Sequence, residues 1–119
     1  MSYLDVVGLP LDPARRDDYR EMAETVAAFL KEHGVVSYVD AVADDVPRGQ
    51  RTDWYRAAAT EEGEIVAVSV AIWPDKATRD AAWAAMEADP RFKDMQPEDM
   101  PFDGKRMFFG GFTPIVETA

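Results

Sequence analysis

The single histidine of the sequence, His33, is the side chain best suited to moving protons, because histidine is the residue type that changes charge near neutral pH. It follows apolar residues spaced three and four apart and precedes Gly34, which places it at the C-terminal end of a predicted helix. Two interpretations are open. His33 could exchange a proton with a ligand in a cleft, or it could bond the last carbonyl groups of its helix.

Asp40 is a carboxylate in the middle of a predicted strand, on the same face as Tyr38 and Val42. A buried carboxylate is costly unless it is paired, and Arg56 in the next predicted strand is a possible partner. One interpretation is a polar pocket floor built from Tyr38, Asp40 and Trp54. The other is a structural ion pair or an edge position in contact with water. The candidate catalytic residues are therefore His33, Tyr38, Asp40 and Arg56.

Candidate ligand-binding residues are aromatic or cationic. Trp54 and Trp73 could line an apolar pocket, although aromatic side chains in a chain of 119 residues also build cores and interfaces. Lys105 and Arg106 follow the turn at Asp103-Gly104 and could present two cations to an anionic ligand, or they could lie on a solvated turn.

Composition excludes several classes of function. There is no cysteine, so thiolate chemistry and zinc–sulfur sites are absent, and no histidine–carboxylate set predicts a metal. No phosphate loop or dinucleotide motif occurs, so we expect no cofactor. The net charge of −10 disfavours nucleic acid as a partner. No apolar run is long enough for a membrane span and no signal peptide is visible, so we expect a cytoplasmic protein without a membrane partner.

The elements that position these residues follow from periodicity and from turn residues. One domain over residues 1–119 is expected, because the chain length suits a single core. A first helix is predicted over residues 13–33, and a second opens at Pro74-Asp75 and ends at Asp89-Pro90. Strands are predicted over 2–9, 35–42, 54–60, 65–73 and 106–116, with 54–60 and 65–73 forming a hairpin. The last of these strands is expected to be bent or bulged near Gly110-Gly111. This order predicts an α+β fold of the ferredoxin-like, split βαβ type.

The predicted sheet is apolar on both faces, whereas two helices can cover only one. In the strand over residues 65–73, the even-numbered residues from Val66 to Ile72 form one face and are all apolar. The odd-numbered residues from Ile65 to Trp73 form the other face and are mostly apolar as well. A second copy of the sheet is the economical cover, so we expect a homodimer; the alternative is a monomer with one half-exposed mixed face.

Two stretches of the sequence, residues 44–49 (DDVPRG) and residues 99–107 (DMPFDGKRM), resemble the YbaA-like bacterial proteins, a family of unknown function. Glu32-His33-Gly34 and the ending Gly110-Gly111-Phe112 are similar as well. The resemblance implies the dimeric α/β-barrel form of the ferredoxin-like fold, with its antiparallel sheet and two helices on one face, and a bacterial cytoplasmic location. It implies no reaction.

Three functions are compatible with these observations. The first is binding of a small apolar or aromatic molecule in a cleft between the sheet and the helices. The second, by analogy of fold, is a cofactor-independent enzyme of the oxygenase or isomerase type. The third is a structural or interaction protein without a ligand.

Overall fold

The computed structural model describes residues 2–118, which form an antiparallel sheet of four strands in the order β2-β3-β1-β4. The strands are β1 (Tyr3–Leu11), β2 (Ser37–Val42), β3 (Ile65–Trp73) and β4 (Phe108–Phe112). The helices are α1 (Arg16–Glu32), α2 (Trp54–Ala57) and α3 (Lys76–Ala88). Two split βαβ units result, β1-α1-β2 and β3-α3-β4, and the predicted ferredoxin-like α+β fold is confirmed.

Both long helices begin and end at the residues that the sequence indicates. The Asp12 side chain accepts a hydrogen bond from the Ala14 N–H at 2.9 Å and opens a 3₁₀ turn, Pro13–Arg15, that leads into α1. Asp75 caps α3 by accepting from the Thr78 N–H at 2.7 Å. Gly34 ends α1 with φ +90°, a conformation that favours glycine.

The strand predicted over residues 54–60 is wrong, and so is its hairpin with β3. Trp54–Ala57 forms the short helix α2, because the Asp53 side chain accepts from the Arg56 N–H at 2.8 Å and caps it. Capping aspartate followed by alanine-rich sequence favours a helical turn over a strand. β3 pairs instead with β1 and β2, which makes it a central strand.

The outer ends of the sheet also differ from expectation. β1 continues through Pro10 to Leu11. Because β4 pairs with β1 only as far as Gly8, Pro10, which has no N–H to donate, is tolerated in the strand. β4 is shorter than predicted and keeps regular register through Gly110 and Gly111, without a bulge. A side chain at Gly111 would collide with the Tyr3 ring, so the glycine is needed for close packing.

The core lies between the sheet and the two long helices. Phe29 and Leu30 of α1 and Ala82 of α3 pack against Ala71 and Trp73 of β3. A second group, at the other end of the sheet, joins Tyr19 of α1 to the strands. Its remaining buried members are Leu9, Leu11 and Ala67.

The opposite side of the sheet, which we call the open face, carries no helix among the described residues other than α2 at one corner. Apart from Ser37, its larger side chains are apolar, and they come from all four strands: Leu4, Val6, Val39, Val68, Val70, Ile72 and Phe112. Val39 and Phe112 are more than half exposed. None of the helices within residues 2–118 has the length and hydropathy needed to cross a bilayer.

Candidate functional site

A cavity lies between the sheet and α1, and it has two adjoining parts. The inner cavity, of about 120 Å³, is lined mostly by apolar side chains from the strands, from α1 and from the segment before β4, among them Val7, Met22, Phe102 and Met107. The outer groove, of about 460 Å³, runs between α1 and β2. Tyr19, Ala23, Tyr38 and Asp40 line both parts, so the two parts adjoin at these residues, a boundary that we call the passage.

The polar group in this passage is the Asp40 cluster, formed by Tyr19, Tyr38, Asp40 and Ser69. Tyr38 and Asp40 share a face of β2, and the β2–β3 register sets Asp40 opposite Ser69. The Tyr19 hydroxyl, from the first turn of α1, donates to Asp40 Oδ1 at 2.5 Å. Ser69 Oγ donates to the same oxygen and the Tyr38 hydroxyl donates to Oδ2. Three hydroxyl groups therefore converge on one carboxylate beside an apolar cavity.

The two tyrosines of this cluster are held in the protonated form. Burial, and then the hydrogen bond to Asp40, raise the pKa of Tyr19 well above its usual range. The same two causes, in the same order, raise the pKa of Tyr38. At neutral pH both hydroxyls are therefore hydrogen-bond donors and neither is a base.

Tyrosine ionisation tests this property. Because the folded pKa values lie above the unfolded value of about 10, the stability that these groups contribute is present below pH 10 and is lost as pH rises further. We expect the Tyr19→Phe/Tyr38→Phe double variant to show the same tyrosinate absorbance change as the wild type between pH 7 and about pH 11, measured directly after a pH jump. A smaller change in the double variant would show that the two hydroxyls ionise normally.

A second carboxylate, Asp5 of β1, lines the same inner cavity but is fully paired. It is 5% exposed and accepts from the indole N–H groups of Trp73 and Trp83 at 3.0 and 2.9 Å. The Arg79 guanidinium donates three further hydrogen bonds to the Asp5 carboxylate, at 2.8 to 3.1 Å. These four residues, which we call the Asp5 cluster, join β1 and β3 to α3 and hold the Trp83 ring in the cavity wall.

His33 lies apart from both clusters and lines neither part of the cavity. It follows the last residue of α1, and its Nδ1–H donates to the Phe29 carbonyl oxygen at 2.9 Å. Its ring stacks on Phe29 with centroids 4.1 Å apart. This is the capping arrangement, the second of the two interpretations offered by the sequence.

The predicted pairing of Asp40 with Arg56 is wrong. Arg56 lies in α2, and its guanidinium is 3.8 Å from the Asp53 carboxylate. The prediction failed because residues 54–60 do not form a strand beside β2. Of the four candidate catalytic residues, the fold brings together Tyr38 and Asp40 only.

The candidate ligand-binding residues do not share one pocket. Trp73 is fully buried in the Asp5 cluster, whereas Trp54 is 40% exposed and lies against Phe108 on the open face.

Arg106 is held by Glu64 at 2.6 Å and by Asp103 at 3.0 Å, so it fastens the segment before β4 to the start of β3. Lys105 is exposed on a 3₁₀ turn, Gly104–Arg106.

Sequence reasoning missed Tyr19 and Ser69, and of the Asp5 cluster it singled out Trp73 alone. Asp5 carries the signal that identified Asp40, a carboxylate inside an apolar strand. Tyr19 lies at the three- and four-residue spacing of the apolar residues of α1, and Ser69 is the one hydroxyl in β3. Across residues 2–118, no three histidine, aspartate or glutamate side chains converge in a geometry that could hold a metal ion.

The fold and its cavity define an α+β domain of the ferredoxin-like type. The chain belongs to the family described as "Protein of unknown function (DUF1428)", whose model matches residues 2–104. It is 46% identical to the uncharacterized protein YbaA of Escherichia coli K12 over 119 residues, which covers 98% of this chain and 99% of YbaA. The resemblance to YbaA-like proteins is therefore confirmed.

Two solved structures share the fold at low sequence identity. One is a dimeric ferredoxin-like protein from an uncultured marine organism, with a TM-score of 0.64, 10% identity and coverage of 98% of each chain. The other is SnoaB, a cofactor-independent oxygenase from Streptomyces nogalater, with a TM-score of 0.61 and 17% identity. That match covers 98% of this chain and 95% of SnoaB. At these identities the likeness shows the fold alone.

Proposed function

We propose that the protein binds a small, largely apolar molecule in the cavity between the sheet and the helices, with one polar group of the ligand at the Asp40 cluster. The observation that carries this proposal is the convergence of three hydroxyl groups and a carboxylate beside an apolar cavity. Binding sites combine apolar walls with a few placed polar groups in this way. An apolar core needs no such group, because a buried carboxylate costs free energy.

The size of the cavity limits the ligand. An inner cavity of about 120 Å³ holds a branched alkyl group, and a single ring needs some adjustment of the wall, because benzene occupies a cavity of about 150 Å³ in another protein. Met22 and Met107 in its wall can adjust, because methionine is flexible and unbranched. Any larger part of the ligand extends into the outer groove.

Methionine methyl NMR spectroscopy tests the proposal at the cavity itself. Added 3-methylbutan-1-ol or phenol, at up to about 10 mM, is expected to shift the methyl resonances of Met22 and Met107. The resonance of Met86, which packs in the core beside Phe29, serves as an internal control, and a shift of Met95 identifies binding in the surface groove that Met22 also lines. The proposal fails if neither compound shifts Met22 and Met107, or if all methyl groups respond alike.

A cofactor-independent enzyme remains a prediction from the fold. SnoaB is a cofactor-independent oxygenase, and that activity is a property of SnoaB. In this chain His33, the expected proton carrier, lines neither part of the cavity, and the tyrosines beside Asp40 stay protonated. Binding is therefore the function that these contacts support best.

We also propose that the protein is a homodimer in which the open faces of two copies pack together. The open face is apolar across all four strands, and water contact with such a surface is unfavourable. A second copy offers an equal apolar surface and buries both about a two-fold axis. The related marine protein is described as dimeric. A bacterial cytoplasmic location, implied by the resemblance to YbaA, stays a prediction.

A further inference from the structure

We infer that the ligand is a small hydrophobic amine whose ammonium group binds Asp40. This inference rests on the ligand site proposed above and names the chemistry that the site selects. It follows from two properties of the Asp40 cluster: the direction of its hydroxyl protons and the absence of a cation beside its carboxylate.

The first property concerns protons. Tyr19, Tyr38 and Ser69 each have one hydroxyl proton, and each donates it to Asp40. The raised pKa values of both tyrosines keep those protons in place. The cluster therefore presents only hydrogen-bond acceptors to the cavity: one free lone pair on Asp40 Oδ2 and the lone pairs of the tyrosine oxygens. A ligand must bring the donor, and a ligand with acceptors alone finds no partner.

The second property concerns charge. Within residues 2–118, Asp40 has no lysine, arginine or histidine within ion-pairing distance, although Asp5 in the same cavity is paired with Arg79. In the lining of the outer groove Arg20 is paired with Glu24, and Arg16 and Asp17 contribute one charge of each sign. Of the two carboxylates that line the inner cavity, Asp40 is thus the one without a paired cation. Buried or half-buried carboxylates are stabilised by a cation, and a ligand ammonium group supplies one.

The remaining lining sets the body of the ligand. The inner cavity adjoining the cluster is apolar apart from the two carboxylates, Ser69 and the aromatic polar tips. Because its volume suits about five or six carbon atoms, the inferred ligand class is a monoamine with a branched alkyl or single-ring body. The net charge of −10 also favours the approach of a cation over that of an anion.

A matched series of three compounds tests the inference: 3-methylbutylamine, 3-methylbutan-1-ol and 3-methylbutanoate. They share one alkyl body and differ in the polar group. Titrations followed by the Met22 and Met107 methyl resonances are expected to show the amine binding at least about tenfold more tightly than the carboxylate, with the alcohol between them. In Asp40→Asn, the affinity for the amine is expected to fall to that for the alcohol.

The outcomes separate this inference from the proposed function. Carboxylate binding equal to or tighter than amine binding overturns the inference and leaves the ligand site standing. An amine-to-alcohol ratio that is unchanged in Asp40→Asn also overturns it. If none of the three compounds shifts Met22 and Met107, the ligand site and the inference both fail. The ranking in the wild type requires no variant, and an unchanged Met86 resonance shows that Asp40→Asn is folded.

Discussion

Replacing Arg79 with methionine is expected to lower the free energy of unfolding by about 3–5 kcal/mol. Arg79 supplies three of the five hydrogen bonds that Asp5 accepts, and it is the positive charge paired with this 5%-exposed carboxylate. Removing one partner of a buried pair leaves an uncompensated charge. Methionine keeps much of the apolar stem of arginine, so the loss reports mainly on the charge. Urea denaturation followed by tryptophan fluorescence measures the effect.

Two control variants make this result specific. Arg20→Met removes the exposed Arg20–Glu24 pair, whose loss is expected to cost less than about 0.5 kcal/mol. Asp5→Asn/Arg79→Met removes both charges and is expected to recover a substantial part of the stability lost by Arg79→Met. All variants are compared at one protein concentration, because association changes apparent stability. A loss for Arg79→Met no larger than that for Arg20→Met would contradict the buried pair.

The second large effect concerns the open face. Val70→Asp places a carboxylate at the centre of the proposed dimer interface and is expected to convert a dimer, twice 13.3 kDa, into a 13.3 kDa monomer. Light scattering after size exclusion at micromolar concentration measures the mass. Val39→Asp is also expected to give a monomer. Because Val39 is 58% exposed in the single chain, this change is expected to have little effect on folding.

The matched control is Ala84→Asp, which adds the same charge at an exposed position of α3, away from the open face. Its mass is expected to equal that of the wild type, and circular dichroism establishes that all variants are folded. A wild-type protein that is monomeric under these conditions refutes the dimer. So does a mass that remains unchanged in both Val70→Asp and Val39→Asp.

Much of the fold could be predicted because its signals are local. Asp12 and Asp75 cap the helices, Gly34 ends α1, and the alternation in β3 assigns its residues to two faces. The error at α2 has a local cause as well: the capping by Asp53 competes with a weak strand pattern, and the cap decides. The bulge predicted at Gly110-Gly111 failed because both glycines keep the regular register with β1, where Gly111 leaves room for the Tyr3 ring and Gly110 lies against Phe112.

The site was only half predictable because its contacts join distant residues. Tyr38 and Asp40 lie on one strand, so their shared face could be deduced from the period of two. Tyr19 and Ser69 reach Asp40 through the packing of α1 and the register of β3, which no local pattern reveals. Asp5 and Arg79 are separated by 74 positions, so the sequence shows two charged residues but does not show that they pair.

The proposed ligand site lies where the inner cavity and the outer groove adjoin, and a bulky side chain introduced there tests that location. Ala23 of α1 lines both the inner cavity and the outer groove, whereas Ala28 on the same helix is exposed. The measurement is the affinity of 3-methylbutan-1-ol for Ala23→Phe and Ala28→Phe, followed by NMR titration. We expect Ala23→Phe to weaken binding by at least about tenfold and Ala28→Phe to leave it unchanged. Equal affinities in the two variants would show that the ligand does not bind at the passage.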